Sequence, residues 1–218
     1  MEFPVQTRVL FNERTRCFYD TSERKRLKGI TKLLAGAFWP EYSFIRAPRG
    51  PPRSGGGGVT ARQGRLRGSW VDREVSRVVS GERVAHPHPF TAYALEALRR
   101  SHIRAVGTQV VVYDRSVATA VDILGVDPNG TYCCVELKCS SDSRYKSACG
   151  PMRGVLSART DALCEQHAVQ CEVTRLLFER TYGVNAHAYL LRVNDGGARL
   201  TRLPRRQDTL QALQRIVG

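Results

Sequence analysis

The stretch 121-VDILGVDPNGTYCCVELK-138 decides how this chain is read. It joins two runs rich in β-branched and apolar residues, Val117–Val126 and Thr131–Cys139, through Asp127-Pro128-Asn129-Gly130. Such runs favour strands. The Asn-Gly pair tolerates positive φ, so the connection predicts a tight hairpin. Charged side chains interrupt the apolar pattern at Asp122 on the first strand and at Glu136 and Lys138 on the second. Residues two apart on a strand share a face, so Glu136 and Lys138 point together, and the hairpin lays Asp122 beside them. Flanked by Val121, Ile123, Val135 and Leu137, these charges need partners or a metal.

Outward from the hairpin, apolar spacing predicts helices over Ser69–Val79 and Pro89–Ser101 and a strand over Val106–Tyr113. After it come a long helix over Asp161–Thr181, a strand over Ala186–Val193 and a short helix over Asp208–Ile216. This order gives an α/β fold, a central mixed β-sheet with flanking helices. Further toward the N-terminus, Leu27, Ile30, Leu33 and Leu34 repeat at helical spacing behind the basic run Arg24-Lys25-Arg26-Leu27-Lys28. Residues 1–47 are therefore expected to form a basic helical segment. The Ala47–Gly58 stretch, APRGPPRSGGGG, marks a Gly/Pro-rich linker over 48–67, ahead of a compact unit over 68–218.

Charge narrows the function. The chain has 34 Lys and Arg against 20 Asp and Glu, a net charge of +14. Residues 1–67 alone hold 14 basic and 5 acidic residues. This excess points to a polyanionic partner, DNA or RNA. No apolar run approaches the roughly 18–20 residues that span a bilayer, and Met1-Glu2-Phe3-Pro4 lacks a secretory pattern. An intracellular setting, nuclear or viral included, is the expectation. The cysteines, Cys17, Cys133, Cys134, Cys139, Cys149, Cys164 and Cys171, form no CxxC pair, which argues for free thiols over a zinc site.

Buried carboxylates beside a lysine suit phosphodiester hydrolysis. That reaction needs a water of lowered pKa and positive charge against the phosphorus and the leaving oxygen. Mg2+ or Mn2+ supplies both and prefers carboxylate oxygens. Asp122 and Glu136, with the carbonyl of Leu137, would hold the ion. Lys138 would position or help deprotonate the water, or stabilise developing charge.

Residues 121–138, with Asp122 and the Glu136-Leu137-Lys138 triplet, resemble the core of the PD-(D/E)XK nucleases, which has a restriction-endonuclease-like fold. The surroundings resemble its RecB-like and Cas4-like exonuclease branch. That branch carries a glycine followed four residues later by a histidine ahead of the sheet. Here Gly68 is followed by Asp72, an alternative hard metal ligand. The branch also carries a glutamine followed four residues later by a tyrosine, matched here by Gln170 and Thr174. The resemblance implies a metal-dependent deoxyribonuclease, an exonuclease or DNA-end-processing enzyme, with Asp122, Glu136, Lys138 and Gln170 catalytic and Asp72 among the metal ligands. Members with an iron–sulfur cluster use three cysteines near the C-terminus. No cysteine follows Cys171, so no cluster is expected. The departures at Asp72 and Thr174 motivate an alternative, a catalytically inactive nuclease-like protein that binds or packages nucleic acid.

Overall fold

The computed structural model describes residues 8–12, 15, 17–40, 61–139, 145 and 148–218, with the side chains of 61, 62, 65, 148 and 149 omitted. The chain is α/β. Its strands are β1 (Val9–Asn12), β2 (Cys17–Asp20), β3 (Lys25–Gly29), β4 (Arg104–Asp114), β5 (Val117–Val126), β6 (Tyr132–Cys139), β7 (Ala148–Pro151), β8 (Thr160–Ala162), β9 (Ala186–Asn194) and β10 (Gly197–Leu203). Its helices are α1 (Ile30–Phe38), α2 (Ala61–Val79), α3 (Pro89–Arg100), α4 (Leu163–Tyr182) and α5 (Gln207–Val217).

The main sheet runs β1-β2-β3-β5-β6-β9-β10, with β4 paired to the other edge of β5. It is mixed: β3 with β5 and β6 with β9 are parallel, and the other pairs are antiparallel. A parallel pair requires a crossover, which α4 supplies between β6 and β9. The β5–β6 hairpin closes as its sequence requires. Asp127 Oδ1 accepts the Asn129 and Thr131 N–H groups at 2.9 Å, and Gly130 takes φ 79°.

Strand alternation sorts β6 cleanly. Cys133, Val135 and Leu137 enter one core with Val71 and Val75 of α2 and Phe90, Ala94 and Leu98 of α3. Cys134 faces the other way, into a core with Ile30, Leu34 and Phe38 of α1, Val169, Val173 and Phe178 of α4, and Leu213 of α5. Glu136 and Lys138, in step with Cys134, therefore face α4. Helices α2 and α3 are locked by the buried Glu74, which accepts Trp70 Nε1, the Thr91 hydroxyl and the His88 N–H at 2.6–2.8 Å. His88 caps α3 by accepting the Phe90 N–H through Nδ1 at 3.1 Å.

The N-terminal segment departs from expectation. Its described residues carry β1, β2 and β3, and the helix begins only at Ile30. The helical spacing of Leu27, Ile30, Leu33 and Leu34 straddles a junction at Gly29. Leu27 instead fills a small core with Val9, Phe18 and Ala118, while Ile30 and Leu34 belong to the α1 core. The segment is also joined to the main sheet, through Lys28↔Val117 and Gly29↔Ala118. The expected linker is shorter at its C-terminal end, because α2 starts at Ala61; Ala47–Gly58 lies outside the described residues. Strand β10 is a further addition that the sequence reading left out. Among the described residues no helix is long and apolar enough to cross a membrane.

Asp20, buried at the end of β2, anchors the β1–β3 meander. It accepts Arg8 Nε on both oxygens, and the Ser22 N–H, Ser22 hydroxyl and Glu23 N–H on Oδ1. The Arg8 hydrogen bond, outweighing desolvation, holds its pKa well below the ordinary value. A depressed carboxyl pKa stabilises the fold above the unfolded value of about 4, and that contribution is lost as pH falls toward the folded value. Asp20→Asn is therefore expected to lower the melting temperature at neutral pH. In melts collected at decreasing pH, the gap to wild type should begin to close below about pH 4 and shrink steadily toward the folded value.

Candidate active site

The two ends of β5 are served by different neighbours on one edge. β3 pairs with Val117 and Ala118, and β6 pairs from Ile123 to Val126. Past Val135, β6 leaves β5 and continues only beside β9, as Glu136↔Leu190, Leu137↔Leu191 and Lys138↔Arg192. A fork opens between them. A buried backbone N–H on β6 would lose its partner there, at a cost of about 1–3 kcal/mol. The Asp122 carboxylate replaces that partner, its Oδ2 accepting the Leu137 N–H at 2.9 Å.

A cleft of about 1000 Å3 occupies the fork, and Asp122, Glu136, Lys138 and Gln170 all line it. Glu136 is only 3% exposed. Its Oε1 accepts Lys138 Nζ at 2.5 Å and Gln170 Nε2 at 2.7 Å. The hairpin and α4 thus bring the four expected catalytic residues into one group. Burial raises the Glu136 pKa, and the charges of Asp122 and Asp72 raise it further, against the pull of Lys138. Burial opposes the Lys138 ammonium, but the Glu136 and Asp122 charges outweigh it and hold its pKa above the ordinary value.

Asp72 reaches this group indirectly. Both of its oxygens accept Gln109 Nε2 at 3.1 Å. Gln109 lines the cleft and sits on β4 opposite Asp122, between the Thr108↔Ile123 and Val110↔Val121 pairs. Its backbone takes φ 51°, a left-handed conformation that costs a non-glycine residue about 1–3 kcal/mol and clusters at functional sites. The sequence reading missed Gln109. The one signal was an amide in a β-branched run, and its opposition to Asp122 emerges only with the β4–β5 register.

Other polar residues turn elsewhere. Thr174 donates its hydroxyl to the Gln170 carbonyl at 2.9 Å and so stays on its own helix. Gln166, one helical turn before Gln170, is buried and donates to Asp161 Oδ1 at 2.5 Å. Tyr145 is buried, with the Arg192 guanidinium 4.0 Å over its ring and His167 Nδ1 3.3 Å from its hydroxyl. Burial, then the Lys138 charge, pushes His167 down to about 3, leaving it neutral. Arg144 and Lys146 lie outside the described residues. Free thiols on β6 alternate between the two cores, Cys133 in one and Cys134 in the other.

The donor set suits a hard divalent cation. Asp122 and Glu136 are acidic groups in one cleft, with Asp72 close enough to act on Glu136 and only Lys138 among them in compensation. Lys138 and Gln170 share Oε1 of Glu136, and Oε2 accepts no hydrogen bond among the described residues. Among those residues, no three Asp, Glu, His or Cys side chains converge closely enough to hold one ion by themselves. A cation held here would be completed by a main-chain carbonyl or water, ligands that Mg2+ accepts. Compared with known proteins, the chain matches no family model and no curated sequence.

Asp122 has a structural role separable from chemistry. Asp122→Ala orphans the Leu137 N–H and is expected to lower unfolding free energy by about 1–3 kcal/mol in urea titration. Asp122→Asn keeps an acceptor oxygen and should lose much less.

Proposed function

We propose that the chain is a metal-dependent DNA nuclease that hydrolyses phosphodiester bonds, acting as an exonuclease or DNA-end-processing enzyme. The observation that carries this reading is the hydrogen-bonded group of Glu136, Lys138 and Gln170, with Asp122 beside it, in an open cleft whose opposite wall is basic. An acidic floor suits a cation, and a wall formed by Arg26, Lys28 and Lys32 suits phosphates.

Asp122 and Glu136, with the Leu137 carbonyl, would hold Mg2+ or Mn2+, which would acidify a water and neutralise charge on the phosphate. The protein's own part is positioning. The Leu137 N–H fixes Asp122 in one orientation. Gln170 and Lys138 fix Glu136 from two directions. Lys138 keeps its proton beside two carboxylates, which favours a role as a positive charge against a phosphate oxygen over a role as base. Gln109 restrains Asp72 at the rim. The preference for free ends rests on the likeness of the Gly68–Asp72 and Gln170 positions to the exonuclease branch.

Incubation with linear and closed circular DNA, in Mg2+, Mn2+ or EDTA, tests this reading. Linear DNA should be degraded with either metal, closed circles should survive longer, and EDTA should stop the reaction. Lys138→Ala should slow cutting by about 10²–10³-fold, and Glu136→Gln should abolish it. Undiminished cutting in both variants, or none in wild type, overturns the assignment.

A further inference from the structure

The basic run Arg24–Lys28 lies across β3, and strand alternation divides it. Leu27 points inward to Phe18 and Ala118. Arg26 and Lys28 point outward and are exposed. The register continues this outer face across the meander: Leu10 pairs with Tyr19, and Tyr19 with Arg26. The row thus reads leucine, tyrosine, arginine. Tyr19 is 44% exposed and Leu10 54%, both large side chains left in solvent. Three strands at a spacing of about 4.8 Å make a platform about 10 Å across, wide enough for one base to lie flat on Tyr19.

The platform is continuous with the cleft. Cys17, Arg26 and Lys28 belong both to the outer face and to the cleft wall, and Lys32 in the first turn of α1 extends the wall. Arg26, Lys28 and Lys32 make no salt bridge among the described residues. In contrast, Lys25, on the other side of β3, pairs with Glu23, and Arg8 pairs with Asp20 and Glu23. Among the described residues the only acidic side chains lining the cleft are Asp122 and Glu136, on the opposite side. An exposed aromatic ring beside unpaired cations is the combination that binds unpaired bases by stacking and their backbone by charge. A duplex hides its base faces and has no use for the ring.

We propose that the outer face of β1–β3 binds single-stranded nucleic acid, stacking a base on Tyr19 and holding backbone phosphates on Arg26, Lys28 and Lys32, and leads that strand into the carboxylate cleft. The last clause rests on the nuclease reading; the binding face does not.

Fluorescence anisotropy in EDTA, with a labelled oligodeoxythymidylate and its duplex with oligodeoxyadenylate, separates the two. Tyr19→Thr keeps a strand-favouring residue and should weaken single-strand binding about tenfold. Tyr19→Phe should bind like wild type, and duplex binding should change little. The double substitution Arg26→Gln with Lys28→Gln should flatten the log–log salt dependence by roughly 1.4, about 0.7 per lost contact. Circular dichroism melts identify any variant that fails to fold, in which case the Arg26 and Lys28 pair decides. Unchanged oligonucleotide binding in every variant overturns the platform, whether or not the protein cuts DNA. So does a self-associating protein that Tyr19→Thr dissociates without affecting the oligonucleotide. Binding that depends on Tyr19 in a wild type that never cuts DNA would uphold the platform and refute the nuclease.

Discussion

One hydrogen bond makes the cleft compatible with a folded sheet. A sheet that stays zipped has no room for a substrate, and a sheet that opens leaves backbone groups without partners. Here β6 peels from β5 after Val135, and the carboxylate of Asp122 takes the Leu137 N–H that β5 no longer serves. The opening is thereby held at one position in the register. Because β6 keeps its pairing with β9 through the whole divergence, Glu136 and Lys138 retain their direction and meet Gln170 from α4. The residue that repairs the backbone is also one that would hold the metal, so folding and chemistry draw on a single side chain.

The site carries tension that the remaining structure absorbs. Two carboxylates share the cleft, a third acts on Glu136 from Asp72, and burial disfavours the Glu136 charge. Gln109 adds a left-handed backbone at a position flanked by regular pairs. Such arrangements persist where the surroundings fix them independently. The surroundings here are two dense cores, one on each face of β6, whose apolar residues are almost wholly buried. A preorganised arrangement of charge of this kind costs little reorganisation when a reaction occurs.

What the sequence made legible follows from how locally each feature is encoded. The β5–β6 hairpin was readable because its turn chemistry and its alternation agree, and the bounds of Val117–Val126 match the strand. Helix α4 was readable from its apolar spacing even though it buries Glu172 and Arg175 as well. Asp122, Glu136 and Lys138 could be brought together from period and turn alone, and Gln170 needed the likeness to a known family. The β1–β3 meander was hidden because β3 is mostly Lys and Arg, and its one inward residue, Leu27, falls in helical step with α1. Its pairing with β2 and β5, and the burial of Leu27 against Val9, Phe18 and Ala118, make it a strand. Gln109 was hidden for a related reason: its significance depends on a partner strand and on a backbone twist that no residue type announces.

The pairing of α1 with α5 has a consequence for how the protein is made. Phe38 of α1 shares a core with Ala212 and Leu213 of α5, its carbonyl accepts the Arg153 N–H at 2.7 Å, and Arg215 lies over its ring. A chain leaving the ribosome therefore holds Ile30, Leu34 and Phe38 without their final partners until the segment containing Leu213 has been synthesised. Lys32 of the basic cleft wall rides on α1 and waits with it, whereas Arg26 and Lys28 are held by β3 between β2 and β5. A chain interrupted before Leu213 would leave Ile30, Leu34 and Phe38 short of partners and open to association with other apolar surfaces.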